Sequence, residues 1–147
     1  MPCISVQFNP AIGPVLQVGI CAPGSLKKTS AAEQAKALGC GLLVDTGASI
    51  TCISPGVVNQ LGLRPIGKRQ VGVASGSAAL NTYVVDLVIP FGDPGSPRAV
   101  QSLVLDNWTV MEYRGSTANY QGLLGMDIIR RGYLTIAGWA NTFIFCI

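Results

Sequence analysis

Short apolar runs recur along the chain between clusters of glycine, proline and asparagine. Where apolar and polar residues alternate, the pattern predicts strands with one buried face. The clearest alternation places Tyr83, Val85, Leu87 and Ile89 on one face, so Asp86 between them is expected to point to solvent. Such densely spaced strands favour a mainly β domain, built as a compact barrel or sandwich. Strands are predicted over residues 3–8, 15–21, 41–44, 83–89, 102–105, 133–136 and 142–147.

Three short helices are predicted from the residues that begin and end helices. Ser54-Pro55 places a serine at the N-cap and a proline at the first helical position, and Gly62 stands where a glycine ends a helix. The other two are a helix capped by Asp127 and ended by Gly132, and a surface helix that runs from a Ser30–Glu33 capping box to Gly39.

The segment 72–81 consists largely of glycine, alanine and serine. If the strands on either side of it pair, this segment forms a hairpin with a mobile tip of small residues.

Length and composition narrow the class of protein. The 147 residues predict one domain over 1–147. A hydrophobic share of 49% with a charged share of only 12% excludes a disordered chain and indicates an apolar surface that a partner covers. The net charge is +3, and the basic residues form isolated pairs rather than a stripe, so no nucleic-acid partner is expected.

The cysteines and the N-terminal residues suggest a location. The five cysteines lack Cys-x-x-Cys spacing, and their odd number indicates free thiols in a reducing compartment. The first residues show no signal peptide, and the apolar stretches are too short to span a membrane. We therefore expect a cytoplasmic protein with no membrane partner.

The absence of histidine limits the possible chemistry. With no imidazole in the chain, Ser-His-Asp catalysis, Cys-His catalysis and histidine-ligated metal sites are excluded. Any reaction must use carboxylates, hydroxyls, thiols, amines or backbone groups.

One carboxylate stands out by its position. Asp45 follows the apolar run Leu42-Leu43-Val44, and the chain then turns at Gly47. A carboxylate carried towards the interior needs hydrogen-bond donors, and the Thr46 hydroxyl and the amides of Gly47 and Ala48 can supply them. By itself, Asp-Thr-Gly is also good turn chemistry, so a turn aspartate is the alternative.

Asp45-Thr46-Gly47-Ala48-Ser49, after its apolar strand, resembles the catalytic motif of the aspartic proteases. A second segment, Gly122-Leu123-Leu124-Gly125 followed by Met126 to Ile129, is similar to the apolar-apolar-Gly segment that passes behind the catalytic loop in retroviral-type proteases. The chain holds one Asp-Thr-Gly triplet, so it resembles the single-lobe retropepsin type, and this resemblance covers most of the chain. The implied fold is a closed-barrel-like acid protease fold with one or two short helices.

The resemblance also implies a function and a set of site residues. A homodimer would hydrolyse peptide bonds in extended substrates with a water activated between two Asp45 carboxylates, without a metal or another cofactor. Thr46 would form a hydrogen-bond pair across the dimer, and the Gly47 amide would bind the carboxylate. Residues 142–147 would contribute to the intersubunit sheet. Substrate would be bound by Ala48 and, at the tip of a closing flap, by Ala74, Ser75, Gly76 and Ser77.

Two alternatives remain open at this point. One is a module that keeps the same fold for dimerisation or peptide binding but has no activity. The other is a plain β-barrel that scaffolds a larger assembly.

Asp127 is interpreted as a helix cap, and the five cysteines are interpreted as small buried hydrophobic residues.

Overall fold

The protein forms a closed six-stranded barrel that carries a hairpin on one side and is joined by a three-stranded sheet. The structure is a computed structural model and describes residues 1–26, 37–92, 101–115 and 117–147. Its strands in chain order are β1 (Cys3–Gln7), β2 (Val15–Cys21), β3 (Leu38–Val44), β4 (Cys52–Ile53), β5 (Gly67–Val73), β6 (Gly76–Phe91), β7 (Gln101–Glu112), β8 (Gly122–Leu124), β9 (Tyr133–Ala137) and β10 (Thr142–Cys146). The helices are α1 (Pro55–Gln60) and α2 (Met126–Ile129), and a 3-10 turn spans Gly138–Ala140.

The barrel is closed by a pairing between its first and last strands. The larger sheet has the order β2-β3-β8-β4-β7-β6-β5, and β2 also pairs with β6. The pairs β3–β8 and β4–β7 are parallel, whereas the other pairs are antiparallel. Closure leaves β5 outside the barrel, where it pairs with the first half of β6 as a hairpin. The mainly β, closed-barrel prediction is confirmed.

A single hydrophobic core fills the barrel. Leu16, Leu42, Leu87 and Leu124 are fully buried, and they come from four different strands. The second sheet, with the order β1-β10-β9, adds Phe143 and other apolar side chains to the same core. The two sheets therefore share one interior, which is what the content of apolar residues in the sequence requires.

Most predicted strands are present, with different ends. Three of them, β3, β6 and β7, are at least three residues longer than expected; β6 is the longest, because it pairs with β5 along its first half and with β7 along its second half. The strands β4 and β8 were not predicted, and β5 was expected only as one of the strands on either side of residues 72–81. Two of these have only two or three residues, and β5 is exposed along most of its length, so none shows the alternation that marks a half-buried strand.

The helix at Ser54 is confirmed. The Ser54 side chain accepts a hydrogen bond from the Val57 backbone N–H, and Pro55 is the first helical residue. Gly62 adopts φ +60° just after the helix, in the left-handed region that favours glycine. The helix predicted from Ser30 falls on residues outside the described ranges, although its expected last residue, Gly39, lies in strand β3.

The interpretation of Asp86 as a solvent-facing residue was wrong. Its side chain is fully buried, and its two carboxylate oxygens accept hydrogen bonds from the backbone N–H groups of Gly24 and Asn107, each at 2.9 Å. Asp86 lies at an irregularity in the β6–β7 pairing, between Val85 and Leu87. The segment after β2 and the backbone of β7 cover Asp86 there. Its carboxylate therefore accepts hydrogen bonds from two backbone amides, on a face of the barrel that the alternation of apolar and polar residues assigns to solvent.

The prediction of free thiols throughout was wrong for two cysteines. Cys3 and Cys146 form a disulfide between β1 and β10, whereas Cys21, Cys40 and Cys52 are free and buried. Antiparallel pairing of the first and last strands places Cys3 directly opposite Cys146. Because the two cysteines are 143 positions apart, no local pattern in the sequence indicates that they pair.

The C-terminal strand lies in the middle of the three-stranded sheet. In β10 both edges are occupied within the chain, by β1 on one side and β9 on the other. It therefore has no free edge with which to pair directly with another subunit. The outer edges of the three-stranded sheet belong to β1 and β9.

Candidate active site

The loop after β3 presents Asp45 at the surface of the barrel. The Asp45 backbone N–H donates to the Leu124 carbonyl at 3.0 Å, and the Ala48 N–H donates to the Asp45 carbonyl at 3.2 Å. The Gly47 N–H donates to Asp45 Oδ1 at 2.8 Å. Asp45 is half-buried, whereas Thr46 and Gly47 are exposed. The loop thus holds one carboxylate oxygen on a backbone donor and turns Thr46 outwards.

The segment around β8 supports this loop from behind. The Met126 N–H donates to the Ala48 carbonyl at 2.8 Å, and the Gly125 N–H donates to Thr51 Oγ1 at 3.1 Å. A Cβ on Gly122 would collide with the Cys52 carbonyl, so this position accepts only glycine without displacement of the backbone. The apolar-apolar-Gly segment noted in the sequence therefore lies directly against the Asp45 loop.

Asp127 connects the loop to helix α2, and its assignment as the helix cap was wrong. The N-cap position belongs to Gly125, and Asp127 lies in the first turn. One carboxylate oxygen accepts from the Thr51 N–H at 2.9 Å and from Thr51 Oγ1 at 2.8 Å, and the other accepts from Trp108 Nε1 at 3.1 Å. The Arg131 guanidinium lies 5.2 Å from the centre of the Trp108 ring. Sequence reasoning missed this cluster, because its members are far apart along the chain.

Asp127→Ala is expected to destabilise the fold by about 3 kcal/mol, because it removes the acceptor for three donors, two of them on the fully buried Thr51. Urea denaturation measures this loss as a lower midpoint. Asp127→Asn keeps one oxygen acceptor, so it should lose less than the alanine variant. Equal midpoints for Asp127→Ala and the unmodified protein would show that these hydrogen bonds do not stabilise the fold.

The β5–β6 hairpin reaches over the Asp45 side of the barrel. Val73 pairs with Gly76, so the tip consists of Ala74 and Ser75, and Gly76 adopts φ +129°. The four residues predicted for the tip are Ala74, Ser75, Gly76 and Ser77, and all four are exposed. Of these, only Ser75 lines the groove that lies beneath the hairpin.

A groove of about 740 Å³ lies between the hairpin and the Asp45 loop. Gly47 and Ala48 line it on the side of the Asp45 loop. On the hairpin side, sequence reasoning missed the residues that line the groove, because they precede and follow the tip; these are Arg69, Gln70, Val71, Gly72, Val73, Ala78 and Leu80. Strand pairing provides the missing information, since residues opposite each other on paired strands face the same side.

Two charged side chains attach the end of β7 to the hairpin. Glu112 Oε2 accepts from the Asn81 backbone N–H at 3.3 Å, and Arg114 Nη2 donates to the Ala79 carbonyl at 3.4 Å. Arg114 Nε also donates to Glu112 Oε1 at 3.4 Å. The β6–β7 pairing ends at Thr82 and Met111, so these side chains hold the base of the hairpin where backbone pairing has stopped.

Two further groups near Asp45 are held in their protonated forms. Burial raises the pKa of the Cys52 thiol to about 11, and the Asp127 and Asp45 charges add to the increase. A hydrogen bond to Tyr120 raises the pKa of Tyr113 to about 12, with smaller contributions from burial and from Asp45. A thiol with this pKa is not a nucleophile at neutral pH, which leaves the Asp45 carboxylate as the candidate reactive group of the site.

Within the described residues, no three His, Cys, Asp or Glu side chains come together as the ligands of a metal ion would. None of the helices in these ranges is both long enough and apolar enough to cross a membrane.

Comparison with known proteins decides the family. A family model described as aspartyl protease matches residues 36–128, which is more than half of the chain and includes both the Asp45 loop and the β8 segment. This chain belongs to the aspartyl protease family. No curated protein matches the sequence of this family member significantly.

Among solved structures, this aspartyl protease family member is similar to a retropepsin-like aspartic protease from Rickettsia conorii. The two share 17% sequence identity and a TM-score of 0.58, over 97% of this chain and 89% of the other. At this identity the likeness shows the fold, and the fold is retropepsin-like as the sequence predicted.

Proposed function

We propose that the chain is an aspartic endopeptidase that works as a homodimer, with Asp45 of each copy facing the other across a two-fold axis. The observation that carries the proposal is the half-buried Asp45 carboxylate, held by the Gly47 amide, with Gly47 itself lining a groove of about 740 Å³. The carboxylate among the residues that line the groove is Glu112, which is bound to Arg114 and Asn81. The second catalytic carboxylate is therefore assigned to a second copy.

The chemistry follows from repulsion between like charges. Two carboxylates about 3 Å apart share one proton, because both cannot ionise at that distance. The ionised Asp45 takes a proton from a water molecule between them, and the protonated one donates to the carbonyl oxygen of the scissile bond. Water attacks the carbonyl carbon, and the tetrahedral intermediate collapses as a proton passes to the leaving amine. No covalent enzyme intermediate forms, and no metal or other cofactor takes part.

Several exposed features support the assignment of a second copy. Thr46 is exposed beside Asp45, so its hydroxyl is accessible for a hydrogen-bond pair across a two-fold axis. On one face of the three-stranded sheet, Tyr133 is exposed by 64% and Ile144 by 40%, and Trp139 beside the sheet is exposed by 93%; Ile136, exposed by 47%, lies on the opposite face. Large apolar side chains exposed together mark interaction surfaces, so we place the intersubunit contact on this sheet and the Asp45 loop.

The same proposal gives roles to the remaining site residues. Ala48 and Ser75 line the groove and contact the substrate, while Ala74, Gly76 and Ser77 form the exposed tip that closes over it. A peptide in the groove is extended, since main-chain pairing with strands is how sheet-lined grooves bind peptides.

The cytoplasmic location stays a prediction. It rested partly on the expectation of free thiols, and the Cys3–Cys146 disulfide removes that part of the argument.

The test is cleavage of an unfolded protein mixture at pH 4–6, with the oligomeric state measured in the same buffer by light scattering. Because a dimer is needed to assemble the site, the cleavage rate per chain should rise with enzyme concentration and then level off as the dimer saturates. A monomer that cleaves with a concentration-independent rate per chain would contradict the shared site. A dimer that binds peptides without cleaving them would favour the inactive module instead.

A further inference from the structure

A second cavity lies beside the catalytic groove and shares residues with it. This cavity has a volume of about 420 Å³, and Ser49, Ile50 and Arg69 line both it and the groove. The two spaces therefore adjoin each other, and a peptide that extended from the groove at this end would lie next to the second cavity. Trp108 and Arg130 line the second cavity and do not line the groove.

The arginines that line this cavity outnumber its carboxylates. Neither Arg69 nor Arg130 makes an ion pair with any residue in the described part of the chain, and both are exposed. Asp127 also lines the cavity, and its oxygens accept hydrogen bonds from Thr51 and Trp108. Two guanidinium groups and one carboxylate therefore give the lining of the cavity a formal net charge of +1.

Arg69 is a charged residue on a face of the hairpin where its neighbours Val71, Ala78 and Leu80 are apolar. It pairs with Leu80, and Val71 pairs with Ala78, so these four side chains share the face that lines the groove. Leu80 is buried, while Val71 and Ala78 are half-buried. The groove is therefore apolar beneath the hairpin and becomes cationic at its base, where Arg69 lies. Lys68, the preceding residue, pairs with Asn81 on the face of the hairpin that also carries Gln70, but unlike Gln70 it does not line the groove.

We propose that Arg69 and Arg130 form a cationic subsite that selects peptide substrates with an aspartate or glutamate side chain outside the apolar positions next to the scissile bond. This inference rests on the proposed function and names its substrate class. A guanidinium binds a carboxylate with two parallel hydrogen bonds, which makes arginine suited to this recognition. Because a two-fold dimer has one such cavity per copy, acidic residues are favoured on both sides of the scissile bond.

The test compares cleavage of peptide pairs that differ by a single Glu-to-Gln change in an outer position. Cleavage sites in a peptide library first identify this position. At pH 6 the substrate glutamate is ionised, so the unmodified enzyme should cleave the acidic peptide with a kcat/KM roughly tenfold higher than the neutral one. Arg69→Gln and Arg130→Gln should each reduce this ratio towards one. Lys68→Gln removes the same charge from the other face of the hairpin and should leave the ratio unchanged.

Equal cleavage of both peptides by the unmodified enzyme would overturn the proposal, and so would an equal loss of preference in Lys68→Gln. Binding separates this failure from a failure of the proposed function. With peptides that carry glutamate or glutamine at each outer position in turn, the Asp45→Asn variant should bind an acidic peptide more tightly than its neutral counterpart in fluorescence anisotropy, even if no peptide is ever cleaved. The same affinity for both peptides of every pair would reject the cationic subsite independently of activity.

Discussion

Replacing Asp45 by asparagine is expected to lower kcat/KM for peptide hydrolysis on the order of 10³-fold, with no loss of fold. The amide cannot accept a proton from water, so general base catalysis is lost, while its oxygen can still accept the hydrogen bond from the Gly47 N–H. Because each copy contributes one side chain, the substitution removes both groups of the proposed pair. Initial rates on a fluorogenic peptide at pH 4–6 measure the effect.

Asp106→Asn is the matched control, because it makes the same change at an exposed aspartate outside the residues that line the groove. It should retain the activity of the unmodified protein within about twofold, as surface substitutions usually do. Circular dichroism and thermal unfolding establish that both variants are folded. Full activity of Asp45→Asn would contradict the proposed mechanism and would return Asp45 to the role of a turn residue.

Breaking the Cys3–Cys146 disulfide is expected to lower the free energy of unfolding by up to about 5 kcal/mol. The bond joins residues separated by 143 positions, so it closes almost the whole chain into a loop and removes much of the conformational entropy of the unfolded state. The effect should appear in urea denaturation as a lower midpoint after addition of a reductant.

Replacing both Cys3 and Cys146 by serine should lower the midpoint to the same value and abolish its dependence on the reductant. Replacing Cys40, a buried thiol that is not bonded, should leave the reductant effect intact. If the midpoint of the unmodified protein does not respond to reductant, the bond either does not form in solution or does not stabilise the fold. The oxidised form is the one expected in an oxidising compartment, so the same measurement bears on the predicted location.

The parts of the fold that were predicted correctly are those in which local chemistry decides the structure. Helix α1 has its cap, its proline and its terminal glycine adjacent in sequence, and it forms as predicted. The turn at Asp45 is likewise local, because Gly47 and Ala48 supply its hydrogen bonds. Helix α2 shows the limit of such signals. Asp127 looks like a cap, but Thr51 and Trp108 bind its side chain instead.

The sequence by itself determined that this chain is mainly β, that Asp45 follows a buried strand at a glycine turn, and that histidine chemistry is excluded. These properties depend on residue types and on periods of two or a few positions. Only the tertiary structure decided that Asp86 is buried, that Cys3 meets Cys146, and that Arg69 faces the groove. Each of these depends on which strands pair and in which register: β6 with β7 for Asp86, β1 with β10 for Cys3, and β5 with β6 for Arg69. Tertiary contacts fix these pairings, and no local pattern of residues encodes them.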